Sequence, residues 1–241
     1  MLEDDAGATF HSTERNSLVE LLAFLRNRGS TLLVVGNVPI DVHRSASRQM
    51  LGTGDTAVRR RVLALTTDEP AAVTDRIPEP SALPSSSETS IISYRSPSRG
   101  TMAMESSFPS ESAATHVVES GLSDLLATIY QEIERHKQPE AEAPATLRFC
   151  LESLSTLLSE HDQQLVFRFL HLLLARIRAI RAIGHVHLQT ERRSEHASFV
   201  EPLFDAVVEL SLDDRGRPQQ RWQLTDHDVD SRWLSLERDA Q

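Results

Sequence analysis

Lysine is almost missing from this chain. Lys137 stands alone, and every other strongly basic residue is an arginine. Positive charge is short overall, with 25 Lys and Arg against 35 Asp and Glu and a net charge of -10. That balance argues against a nucleic-acid scaffold, which has to neutralise phosphates. Arginines do cluster at 59–61, at 176, 178 and 181, and at 192–193, but no aromatics are interleaved with them. Lysine poverty with excess carboxylate is a pattern of proteins from salt-saturated cytoplasm, where roughly 1 M salt screens repulsion beyond about 3 Å. A GC-rich genome also favours arginine over lysine. The composition leads us to expect a halophile's protein that loses structure in dilute buffer.

Cysteine is nearly absent too. Cys150 is the only one, which excludes an intrachain disulfide and a cysteine-rich zinc site. Its neighbours Phe149 and Leu151 predict a buried, inert thiol. Long apolar runs are lacking: "LVFRFLHLLLARIRAI" is broken by Arg168, His171 and Arg176, so no membrane span is expected. The start, "MLEDDAGATF", is acidic and has no apolar core for a signal peptide, which leads to a cytoplasmic expectation. No Gly-x-Ser-x-Gly elbow exists, so a hydrolase triad built on Ser153 has no support.

What is present reads as strands alternating with helices, hence a wound, mostly parallel α/β sheet in one domain over 13–225 with loose tails at 1–12 and 226–241. "SLVE" at 17–20 is a capping box opening a helix that ends near Gly29. Thr31–Val35 is apolar on both faces, as a central parallel strand is, and a helix is expected over 40–51. Further strands are expected at 60–67 and 146–154, and short helices at 68–77 and 195–204. The Ser- and Pro-rich region 78–115 predicts mobile loops around one strand at Ile91, Ile92 and Tyr94, because it has too few apolar groups to offset chain entropy. An amphipathic helix is expected at 121–137. A long one is expected at 160–183, capped by Ser159, with Glu160 and Asp162 in its first turn and Gly184 as its stop. "HVHLQT" is a strand at 185–190, and "DAVVELSL" with "RPQQRWQL" forms an antiparallel hairpin, beyond which Trp233 and Leu234 are apolar enough to dock.

Three stretches carry a resemblance. "LLVVGNVPIDVH" is similar to the strand and phosphate loop of the RecA-like ATPase core in KaiC-type and RadA-type proteins. "RFCLESLSTLL" looks like their Walker B strand, and "FVEPLFDAVVELSL" with "QRWQL" looks like their late strand and hairpin. The resemblance spans about 30–225, with a gap at the Ser-rich middle. The chain also resembles a haloarchaeal KaiC-like family catalogued as a domain of unknown function. It implies a three-layer RecA-like fold and a nucleotide loop formed by Gly36, Asn37, Pro39, Asp41, Val42, His43 and Arg44.

The motif residues themselves are replaced. The second glycine falls on Asp41, the lysine on Val42 and the Mg²⁺-binding hydroxyl on His43; Glu152 stands at the Walker B aspartate, followed by Ser153. A carboxylate repels phosphate, valine carries no charge to it, and imidazole is a poor magnesium ligand. The expectation is a regulatory or scaffold protein without ATP hydrolysis or cofactor, acting through a protein partner, with self-assembly as an open alternative. The alternative is an ATPase with an unorthodox loop, in which Glu152 serves Mg²⁺ or water and Arg44 or Arg48 replaces the lysine. A DNA-associated, RadA-like protein is a third reading. His43 and Arg44 also stand where a helix N-terminus meets anions. His185 and His187 share one strand face, and with His161, His171 and Glu152 suggest a metal site. Packing or hydrogen bonding is the favoured reading of that pair, and no metal is expected.

Overall fold

The computed structural model describes residues 25, 28–52, 59–67, 88–95, 113–136, 146–225 and 231–236. Most of the helix expected before Gly29, the helix expected at 68–77 and most of the loops expected within 78–112 lie outside them.

The elements run β1 (Ser30–Val35), α1 (Ile40–Leu51), β2 (Arg60–Leu65), β3 (Glu88–Tyr94), β4 (Ala113–Val118), α2 (Leu122–His136), β5 (Leu147–Leu151), α3 (Leu154–Glu160), α4 (Gln163–Ala179), β6 (Ile183–Leu188), α5 (Glu195–Val200), a 3₁₀ turn at Glu201–Leu203, β7 (Ala206–Leu212), β8 (Pro218–Leu224) and β9 (Leu234–Ser235). They build one nine-stranded sheet ordered β4-β3-β2-β5-β6-β1-β7-β8-β9. Every pairing from β4 to β7 is parallel; β7-β8 and β8-β9 are antiparallel. β1 lies between β6 and β7 and is buried along its whole length, as its two-faced apolar sequence requires.

Alternation along the strands assigns the two faces. Leu33, Val35, Phe149, Leu151 and Val186 join the larger core with residues of α2, α3, α4 and α5. Leu32, Val34, Val208 and Trp222 face the other way, against Val42 and Ala46 of α1. The sheet is thus the middle of three layers. Helix α4 buries Val166, Phe169, Leu170, Leu173, Leu174 and Ile177 on one stripe, each contributing roughly 1.5–3 kcal/mol relative to exposure. Among the described residues, no helix is long and apolar enough to cross a membrane.

Helix α1 is closed from the neighbouring strand. Arg61 of β2 is buried, and its guanidinium donates to the carbonyls of Leu51 (3.1 Å) and Gly52 (2.8 Å) at the helix end. A cation there complements the helix dipole. Burial, with Arg59 nearby, pulls its pKa down to about 10.

Several boundaries differ from expectation. β4 forms where mobile chain was expected up to residue 115. The strand expected at 146–154 ends at Leu151, and Ser153 is the N-cap of α3. Asp162, not Ser159, caps α4, accepting from the amides of Gln164 and Leu165. Gly184 does not stop that helix: it lies inside β6, where a Cβ would come 2.7 Å from Ile177 Cδ1. The sheet also continues past residue 225, because Leu234 and Ser235 pair with Gln220 and Gln219.

Candidate functional site

The loop between β1 and α1 has the outline of a phosphate cradle but uses its polar groups internally. Gly36 N–H donates to the Thr190 carbonyl (2.9 Å), and Val42 N–H donates to the Pro39 carbonyl (3.0 Å). Pro39, at the N-cap, has no N–H to offer. The Val42 side chain, at the lysine position, is buried in the α1 core. Asp41 is exposed and accepts from Arg44 (3.1 Å); Asn37 is exposed beside them. Gly36 has a packing reason of its own, since a Cβ there would lie 2.7 Å from the Leu210 carbonyl oxygen of β7.

His43 fills the space under the loop. It is fully buried; its Nε2 lies 2.9 Å from the Gly36 carbonyl and its Nδ1 lies 3.1 Å from Nδ1 of His187. One turn further on, Ser47 Oγ lies 3.1 Å from His185 Nε2 and 3.3 Å from Cys150 Sγ. The local fold explains the convergence. His43 and Ser47 are four apart on the inner face of α1. His185 and His187 are two apart on β6, and Cys150 of β5 is registered opposite His185. Five polar side chains therefore meet between α1 and the sheet, each at 0 % exposure. One candidate ligand atom from each of Cys150, His185 and His187 lies within 4.8 Å of the others.

The sequence grouped this histidine pair differently. His161 lies with Tyr94, whose hydroxyl is 2.8 Å from its Nε2, and Glu152 is engaged elsewhere. Ser47 and Cys150 were missed as members. The signal available for Ser47 was its i+4 spacing from His43; for Cys150, apolar neighbours concealed which strand face it occupies.

Glu152, 2 % exposed, turns its carboxylate onto the end of β2. It accepts from the amides of Thr66 and Thr67 (3.2 Å each) and from Thr67 Oγ1 (2.8 Å). Ser153 Oγ donates to Gln189 Oε1 (2.8 Å), and Thr66 Oγ1 donates to the Ser153 carbonyl (2.7 Å). The carboxyl ends of β2, β5 and β6 are thus tied into one polar network.

Outside the carboxyl ends of β1 and β7 lies an open cleft of about 880 Å³, lined by Gly36, Asn37, Arg192, Arg193, Glu209 and Arg221 among others. A crevice outside the carboxyl ends of the strands is the usual ligand position of wound sheets. Here Arg192 pairs with Glu201 (2.9 Å) and Arg221 with Glu209 (2.6 Å), and Arg221 also lies over the Trp233 ring. In the chain the 192–193 arginines stand out only as a cluster; Glu209 and Arg221 fall in the late strand and hairpin stretches, with no site role expected of them.

The family described as "Family of unknown function (DUF7504)" matches residues 29–210, from the turn before β1 into β7, and the chain belongs to that family. No curated protein matches the chain.

Proposed function

We propose that this member of the DUF7504 family is a non-hydrolysing, cytoplasmic regulatory or scaffold protein of a halophilic archaeon, built on a RecA/KaiC-like core and acting through protein partners. One observation carries the reading: the loop after β1 spends its own hydrogen-bonding groups. Phosphate binding needs several backbone N–H groups aimed at the anion, with a cation beside them. Here the Gly36 and Val42 amides are donated to carbonyls, Pro39 has none, and position 42 carries an apolar side chain. A phosphate entering this loop would have to break those bonds and expel the His43 ring from Gly36.

The alternative, an ATPase with an unorthodox loop, asks Glu152 to serve Mg²⁺ and Arg44 to replace lysine. Glu152 already holds Thr66 and Thr67, and Arg44 reaches outward to Asp41. The DNA-associated reading asks for a basic surface with aromatics, against a net charge of -10. Phosphate release from ATP, followed with Mg²⁺ in molar KCl, tests the proposal. The expected result is no release above the protein-free rate. Turnover abolished by Glu152→Gln would establish the ATPase reading instead.

A further inference from the structure

We propose that Cys150, His185 and His187 form a site for one divalent transition-metal ion of the zinc class, buried beneath α1. This goes beyond the non-hydrolysing reading and does not depend on it. One candidate ligand atom from each of the three residues lies within 4.8 Å of the others, and all three residues are at 0 % exposure. A tetrahedral site with bonds of about 2.0–2.3 Å places its donors roughly 3.3–3.8 Å apart. Closing the set onto an ion therefore takes a contraction of up to about 1.5 Å. Side-chain torsions on adjacent strands in fixed register supply it. A thiolate with two imidazoles is a borderline-soft set; it suits zinc, cobalt or copper and not magnesium or calcium.

The surrounding hydrogen bonds orient the ligands. The Gly36 carbonyl only accepts, so His43 Nε2 carries a proton and donates to it at 2.9 Å. Neutral His43 then has its lone pair on Nδ1, 3.1 Å from His187 Nδ1. His187 in turn donates from Nδ1 and carries its own lone pair on Nε2. Metal-binding histidines characteristically donate their second N–H in this way, which fixes tautomer and ring angle. His43 is thus a positioning residue for His187, and Ser47 Oγ, beside both His185 and Cys150, supplies an oxygen for the fourth position. Binding balances simply: the Cys150 thiol loses its proton to solvent, both imidazoles bind neutral, and one proton is released per ion. An ion there clamps α1 to β5 and β6 and, through His43, holds the Gly36 loop in its closed form.

The test uses the full chain in molar KCl after chelator treatment, titrated with Co²⁺ and then Zn²⁺. The expected result is one equivalent of Co²⁺ with a thiolate-to-cobalt charge-transfer band, displaced by Zn²⁺. Cys150→Ser should remove the band and weaken Co²⁺ binding by about 100-fold or more, and His43→Gln should keep the band and weaken binding about 10–100-fold. X-ray absorption of the zinc-loaded wild-type protein should show one sulfur and otherwise nitrogen or oxygen neighbours, a readout that needs no variant to fold. Absence of saturable one-to-one binding, a zinc shell without sulfur, or binding unchanged in Cys150→Ser would each overturn the proposal.

Discussion

A side chain at position 36 would put its Cβ 2.7 Å from the Leu210 carbonyl oxygen, so the approach of β7 is sufficient reason for Gly36 without any phosphate. Glu152 is a similar case. In the chain it stands where a metal-binding acid is expected; in the fold it satisfies two strand-end amides and a hydroxyl. Glu152→Ala should therefore lower unfolding stability by about 2–4 kcal/mol, since the buried Thr66 and half-buried Thr67 amides lose their carboxylate acceptor. Glu152→Gln, which keeps one acceptor oxygen and the shape, should cost less. Chemical denaturation in molar KCl measures both. A loss under about 1 kcal/mol for the alanine variant would mean that the carboxylate is idle in the fold and open to a metal.

Among the elements, those with strong periodicity were readable from the chain: β1 as an unbroken apolar run, α1 between Pro39 and Gly52, and α2 as a leucine–isoleucine stripe. β4 was not readable, because an edge strand exposes alternate residues such as Thr115 and Val117 and carries little apolar signal. The end of α4 was misread for a definable reason. The helix closes with Arg181 N–H on the Arg178 carbonyl (3.0 Å) and Ala182 N–H on the Ile177 carbonyl (3.1 Å), with Arg181 at φ 54 where glycine is usual. Gly184, three residues on, gave a false stop. Arg181→Gly should relieve the left-handed strain and raise stability by about 0.5–1 kcal/mol, seen as a higher melting temperature. No gain would mean that Arg181 makes a compensating contact.

One cluster joins β3, β4 and α2. Glu132 accepts from Ser90 (2.5 Å) and Arg135 (2.8 Å) and pairs with His116 (3.0 Å); His136 Nδ1 faces Glu88 (3.1 Å). Burial, then Arg135, holds the His136 pKa below its ordinary 6.5 against the pull of Glu88 and Glu132. Burial raises that of Glu132, but the bonds from Ser90 and Arg135 outweigh it and leave it below 4.5. Both shifts act with the same sign. Each group's contribution is present above its ordinary value and is lost as pH falls through its folded one, because the unfolded chain takes the proton first. The melting temperature should fall as pH drops below 6.5, with a second fall beginning below 4.5. His136→Gln should flatten the first step and leave the second; an unchanged first step would place its origin elsewhere.

For the whole molecule, the layer order and sheet direction follow from alternating strands and helices, whereas the buried histidine cluster depends on which strand lies under α1. β6 comes to lie between β1 and β5, and spacing along the chain does not reveal that. The net charge of -10 acts at this scale as self-repulsion. Raising KCl from about 0.1 M to about 2 M shortens the screening length from about 10 Å to under about 3 Å and should raise the melting temperature. A flat response would remove the halophilic interpretation of the composition.

In the proposed reading the loop after β1 is closed to phosphate. Calorimetric titration of MgATP into the folded protein in molar KCl tests it most directly. No binding heat is expected at millimolar nucleotide. Saturable one-to-one binding with a dissociation constant near the micromolar range would contradict it, because the Val42 and Gly36 amides would then have to leave their carbonyls for the phosphates.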